Sequence, residues 1–254
     1  MTSNKEPKIL IWDLETSDLS ADIGFIICVS YQWLGESKIH TISLLDYPKT
    51  FKKNCTDDFY VVRDFLKVFE QADAHVAHFG TYFDPQYFQT RLFDHRKRFK
   101  YLPVLPPIPL DDTWLISKKK LKMHSNRLQS LTEFAGFESK TLLNLRIWKR
   151  ARAGHVPSIR YVIEHCVQDI KVLTNLYSEI RPLSPKNVPN YRLWSGNVEA
   201  CPRCGVVGRL HRRGYQRSTV IEYARLQCQA CGKWCSAPFD KNTGKIKIDK
   251  IKGI

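Results

Sequence analysis

Five of the chain's eight cysteines fall between residues 201 and 235, and four of them form two C-x-x-C pairs. These are Cys201-Pro-Arg-Cys204-Gly205 and Cys228-Gln-Ala-Cys231-Gly232. No other feature constrains the folding of a segment so tightly. Each pair presents two thiolates to one ion, and the glycine that follows permits a tight turn with backbone N–H groups near sulfur. Four thiolates satisfy tetrahedral Zn²⁺ and leave no open position, so the metal is expected to be structural. A module this small depends on such a metal to fold. The polar start, Met1 to Pro7, carries no secretory signal. A reducing, cytoplasmic setting is therefore expected, where clustered cysteines serve as metal ligands and not as disulfides.

Twenty-three residues, Gly205 to Gln227, separate the two pairs. This is the layout of a zinc ribbon over residues 198–240, with 208–215 and 219–227 pairing around a turn at 216–218. Cys235 is left over; it packs, supports the ligands or substitutes for one. Arg209, His211, Arg212, Arg213, Arg217 and Arg225 interleave with Tyr215, Tyr223 and Trp234. Such interleaving suits phosphate and base contact. It also suits a solvated basic face or a protein-contact surface. The charge is consistent with a polyanionic partner: 40 Lys and Arg against 25 Asp and Glu give net +15. Residues 201–254 hold 12 of the basic residues against 3 acids, so much of the excess sits there.

The first 180 residues read differently. Residues 8–12 suit a buried strand, and 23–34 and 39–45 continue it as a three-strand meander. Helical spacing follows over 58–70, then a short strand at 74–78 and a helix over 85–93 with Asp84 at its N-cap. The proline-rich 102–109 is an extended connector, and a helix begins at 112. Asn126 is expected to cap a helix ending near Gly136, and the longest helix spans 158–180. Pro182, Pro185 and Pro189 mark a linker over 182–197, and 241–254 reads as a loosely held basic tail. The expected domains are thus 1–181, the ribbon at 198–240, and the tail. Alternating elements of this kind predict a mixed α/β sheet flanked by helices. No apolar run reaches the roughly 20 residues of a membrane span.

Asp13 and Glu15 stand at i and i+2 at the end of the first strand, so both point to one face. Adjacent carboxylates favour a shared proton or a bound cation, and oxygen donors suit Mg²⁺ or Mn²⁺. Asp84 follows the segment His78-Phe79-Gly80-Thr81-Tyr82-Phe83. His165 and Asp169 share a helix face at i and i+4, at the edge of the apolar stripe.

Together IWDLET, AHFGTYFD and EHCVQDIKVL resemble the three motifs of the DEDD, or DnaQ-like, 3′–5′ exonucleases, which have an RNase H-like fold. The resemblance covers roughly residues 8–180. Phe79 stands where the second motif has Asn, and His165 stands four residues before Asp169 where the tyrosine subtype has Tyr. Asp112-Thr113 resembles an Asp-Thr pair seen in many of these domains. The architecture resembles that of phage-type exonucleases related to the proofreading domain of family B DNA polymerases, with a terminal zinc ribbon.

The resemblance implies a two-metal phosphodiesterase. Asp13, Glu15, Asp84 and Asp169 would hold two Mg²⁺ or Mn²⁺, His165 would serve as a base, and Cys201, Cys204, Cys228 and Cys231 would hold one Zn²⁺. Expected partners are single-stranded DNA or DNA 3′ ends, with RNA and proteins of replication or recombination as further possibilities. The competing reading is a nucleic-acid-binding adaptor with impaired catalysis; a ribonuclease on the same scaffold is a third.

Overall fold

The structure, a computed structural model, describes residues 6–137, 144–184, 190–240 and 242–253. It divides into two compact units. Lys8–Ser178 forms the larger, and Glu179–Ile254, with Glu6 and Pro7, forms the smaller.

The larger unit is built on a five-stranded sheet of order β3-β2-β1-β4-β5. Its strands are β1 (Ile9–Thr16), β2 (Ile26–Trp33), β3 (His40–Ser43), β4 (Ala74–Ala77) and β5 (Leu110–Asp112). β1–β2 and β2–β3 pair antiparallel, whereas β1–β4 and β4–β5 pair parallel. The helices are α1 (Pro48–Lys53), α2 (Phe59–Phe69), α3 (Asp84–Asp94), α4 (Thr113–Lys120), α5 (Leu128–Phe134), α6 (Leu145–Arg152) and α7 (Val156–Ile180).

β1 lies in the middle, so both of its faces are covered and Ile9–Trp12 are all apolar and buried. Trp12 is fully buried on one face, with ring centroids 5.1 and 5.5 Å from Phe65 and Phe69 of α2 and 6.4 Å from Phe88 of α3. Its indole N–H donates to His75 Nδ1 at 3.1 Å, tying β1 to β4. Asp58, at the start of α2, is wholly buried. It accepts from the Ile26 amide at 2.7 Å and from two guanidinium nitrogens of Arg91 at 2.9 and 2.8 Å. His95 Nε2 lies 2.6 Å from the same carboxylate. Burial alone would raise the Asp58 pKa, but these donors hold it below its ordinary value. One carboxylate thus pins β2, α2 and α3 together.

Several expectations need correction. Asp84 is the first helical residue of α3 and Phe83 precedes it as N-cap, one position from the predicted cap. Asn126 does not cap α5; Arg127 holds that position, and Asn126 Oδ1 accepts from the Ser117 hydroxyl at 2.6 Å. The third strand stops at Ser43, where Asp46 closes a capping box and starts a 3-10 turn over Leu44–Asp46. Helices α1 and α6 were not predicted. α6 is short and strongly basic, and Asn144 caps it by accepting from the Ile147 amide at 3.0 Å.

In the smaller unit, α8 (Tyr191–Ser195) occupies part of the expected linker, capped by Asn190. Pro185 and Pro189 lie outside the described residues. A four-stranded antiparallel sheet follows: β6 (Leu210–Arg217), β7 (Glu222–Cys228), β8 (Trp234–Pro238) and β9 (Lys252–Gly253). The hairpin turn falls at 218–221, slightly later than expected. Described residues of the expected basic tail are tied to the sheet. β9 pairs with β8, Ile251 is buried in the small core, and Lys247 meets Asp240 at 3.0 Å. Ile246 and Ile251 give this segment apolar contacts that its lysines concealed in the sequence. Among the described residues, no helix is long and apolar enough to cross a membrane.

Candidate metal-binding active site

The period-two alternation that buries Trp12 against α2 turns Asp13 and Glu15 to the opposite face of β1. There α7 crosses them. His165 Nε2 lies 3.8 Å from Glu15 Oε1 and 3.8 Å from Asp169 Oδ2. Cys166 Sγ lies 3.6 Å from the Asp13 carbonyl oxygen and 3.9 Å from its Oδ2. Donor atoms of Asp13, Glu15 and Cys166 fall within 4.8 Å of one another, as do those of Glu15, His165 and Asp169. Two strand acids and one helix acid thus meet on a common patch with Glu15 shared. The β1–β2 register shifts between Glu15 and Thr16, a bulge at the point where the strand delivers its acids.

Asp84 is 3% exposed, and its Oδ1 faces the Leu14 amide at 3.4 Å, between the two strand acids in sequence. It belongs to neither donor group. Burial pushes its carboxyl up to about 7, backbone hydrogen bonds oppose that, and the charge of Asp112 adds to it. A carboxyl so destabilised in its ionised form is one that a cation would relieve.

Asp112 shapes the loop leading to Asp84. Its carboxylate accepts from the amides of Phe79 at 3.0 Å, Thr81 at 2.9 Å and Trp114 at 2.9 Å. It therefore caps α4 and folds the 78–83 loop onto β5. His78 Nδ1 lies 2.9 Å from Thr113 Oγ1. Phe79 adopts φ 65°, the only non-glycine residue in the left-handed region among those described.

Beside Glu15 opens a cleft of about 610 Å³, within the usual range of small-molecule sites. Leu14 to Leu19 and Phe83 form one part of its lining, and Leu145, Trp148, Lys149 and Arg152 of α6 another. Arg152 reaches Asp18 at 2.9 Å.

Two features of the patch escaped the sequence. Cys166 lies on the apolar side of the longest helix, which carries no motif for a metal site, yet its sulfur touches Asp13. Burial, together with the neighbouring Cys28 thiol, raises its pKa well above the ordinary value, so it meets the acids as a neutral thiol. The second is α6, whose contribution to the cleft had no motif to announce it.

In the smaller unit, the four predicted cysteine ligands converge. All four sulfurs lie within 4.8 Å of one another, with Cys201–Cys231 and Cys204–Cys228 both at 3.8 Å. A tetrahedron with Zn–S near ~2.3 Å has edges of about 3.8 Å, so the cluster is compatible with zinc. The Arg203 amide donates to Cys201 Sγ at 3.4 Å, as expected for such a knuckle. Cys235 is buried in the apolar core of the sheet and is not one of the four.

A mixed sheet whose central strand ends in paired carboxylates, crossed by an acid-bearing helix, defines a nuclease-type α/β domain. The chain belongs to the RNase H superfamily, whose family model matches residues 10–181. A search of curated proteins found no match to it. The fold is accordingly RNase H-like, with a small cysteine-bearing element after it, and the superfamily points to nucleic-acid processing. The acidic patch, like the cysteine cluster, is compatible with metal ions.

Proposed function

We propose that this chain is a metal-dependent 3′–5′ exonuclease acting on single-stranded DNA or DNA 3′ ends. The observation that carries the reading is the meeting of Asp13 and Glu15 with Asp169 on one largely buried patch. Carboxylates gathered with restricted access to water are electrostatically costly unless cations compensate them. All-oxygen donors suit Mg²⁺ or Mn²⁺. Asp13, Glu15 and Asp169 would hold these ions, with Asp84 completing the set. When bound, two such ions supply an activated water and neutralise charge on the scissile phosphate.

The remaining work falls to the chain's own residues. His165, 3.8 Å from both Glu15 and Asp169, is placed to take a proton from water. The cleft beside Glu15 has room for a terminal nucleotide, with apolar side chains for the base and Lys149 for phosphate. The smaller unit would carry one structural zinc on Cys201, Cys204, Cys228 and Cys231. Its exposed strand β6, where Arg212 lies 5.3 Å from the Tyr215 ring, offers a second contact for the strand.

The test is digestion of a 5′-labelled single-stranded DNA with Mg²⁺ or Mn²⁺. Progressively shortened products are expected from wild type and none from Asp13→Ala. Identical behaviour of the two proteins refutes the reading and leaves the adaptor alternative. An RNA strand run in parallel separates the ribonuclease alternative. His165→Ala should alter the rate profile between pH 6 and 9; an unchanged profile removes His165 as base.

A further inference from the structure

The loop before Asp84 carries a group of aromatic side chains that no catalytic role explains. Phe79 and Tyr82 have ring centroids 5.2 Å apart. Trp114, on the first turn of α4, stands edge-on to both, at 5.1 Å from Phe79 and 5.7 Å from Tyr82. The group faces water: Phe79 is 40% exposed, Tyr82 51%, and Trp114 is half-buried. Lys118 lies over the Trp114 ring at 4.4 Å, and Lys119 and Lys120 follow it, exposed, along α4.

The backbone beneath it is strained. Phe79 has φ 65°, a conformation that is uncommon for a bulky residue and costs of order 1–3 kcal/mol. Burial in the core does not recover that cost, because the residue stays 40% exposed. What enforces it is Asp112, which accepts from both the Phe79 and the Thr81 amide. The fold therefore holds a phenylalanine outward, beside two other aromatic rings and a line of lysines, immediately ahead of Asp84.

We propose that Phe79, Tyr82 and Trp114 form a stacking platform for unpaired bases of a single-stranded nucleic acid, with Lys118 holding its phosphates. This deepens the nuclease reading and rests on it for the identity of the strand. The chemistry fits one occupant. Every base offers a π-face to an aromatic ring, the backbone is polyanionic, and the exposed side chains that follow Trp114 along α4 include three lysines, Lys118, Lys119 and Lys120. A platform of this kind tolerates any sequence, since stacking uses the ring face that every base shares. It also gives Phe79 a use for standing where the DEDD motif has Asn.

The test is binding of a fluorescent 12-residue single-stranded oligothymidylate to the full-length protein in EDTA, so that no catalysis contributes. Trp114→Ala and Tyr82→Ala should each weaken binding roughly 5- to 150-fold, the range seen when one stacking aromatic is removed. Trp114→Phe keeps a stacking face and should retain most of the affinity. The part of the intrinsic fluorescence quenched on binding that comes from Trp114 should vanish with it. Phe79→Ala, at an exposed position, guards against misfolding of the other variants and should also weaken binding. Lys118→Gln should lower the slope of log affinity against log salt.

Wild-type affinity in Trp114→Ala, Tyr82→Ala and Phe79→Ala overturns the proposal and leaves the patch to a protein contact. The two readings fail separately. If Asp13→Ala abolishes hydrolysis while the aromatic variants bind normally, only the platform is wrong. If the aromatic variants lose binding while Asp13→Ala cuts like wild type, only the nuclease assignment is wrong.

Discussion

The bond between Trp12 and His75 makes stability depend on pH between about 6.5 and 4. Trp12 donates to Nδ1, so His75 must be neutral, with its remaining proton on Nε2 directed at the Ile108 carbonyl oxygen 3.1 Å away. Burial lowers the His75 pKa from 6.5 to about 4, opposed only by that carbonyl. A depressed pKa contributes stability that is present above pH 6.5 and lost as the pH falls toward 4. Linkage with those two values gives a loss of about 2 kcal/mol between pH 7 and pH 5. Asp84 works in the opposite sense over the same range, because its raised pKa penalises the folded state at high pH.

The two effects separate by comparison with His75→Phe, which keeps a ring beside Phe69 but cannot titrate. At pH 7 this variant should be less stable by about 1–3 kcal/mol, since the Trp12 N–H loses its acceptor. The deficit should shrink by about 2 kcal/mol at pH 5, where wild type has lost its own histidine contribution. Urea unfolding followed by tryptophan fluorescence measures this as a change of roughly 1 M in the difference between midpoints. A deficit that stays constant from pH 7 to pH 5 would refute the tautomer and the burial argument together.

Three further outcomes follow from the buried charges and the cysteines. Arg91→Met strips Asp58 of its two-pronged partner and should cost roughly 3–5 kcal/mol in urea unfolding at pH 7. Asp84→Asn should gain stability over wild type above pH 7 in EDTA and lose that advantage below pH 4, as read from thermal midpoints at several pH values. A zinc-selective chelator should abolish amide exchange protection in β6, β7 and β8 while leaving β1 and β4 protected, and metal analysis should find one zinc per chain beforehand.

What the sequence made legible was local. The alternation Asp13-Leu14-Glu15 fixes a common face, the i, i+4 relation joins His165 to Asp169, and the C-x-x-C spacing announces four converging sulfurs. The unreadable part depends on residues far apart in the chain. Asp58 gathers Arg91 and His95 from more than thirty positions away, and Trp12 finds His75 sixty-three positions on. Cys166 counted as an apolar position because helical periodicity does not say which acid its sulfur will touch. The left-handed Phe79 was hidden for a related reason: its cause is the carboxylate of Asp112, thirty-three residues later. The lysines of 241–254 masked the isoleucines that secure that segment.

The most direct measurement of the central claim counts divalent cations at the acidic patch. Mn²⁺ titrated into zinc-loaded protein, with free ion followed by its electron paramagnetic resonance signal, should give two bound ions per chain in the presence of a nucleoside 5′-monophosphate. Asp13→Ala and Glu15→Gln should each lose at least one of them. Wild type binding no more Mn²⁺ than these variants would contradict the account.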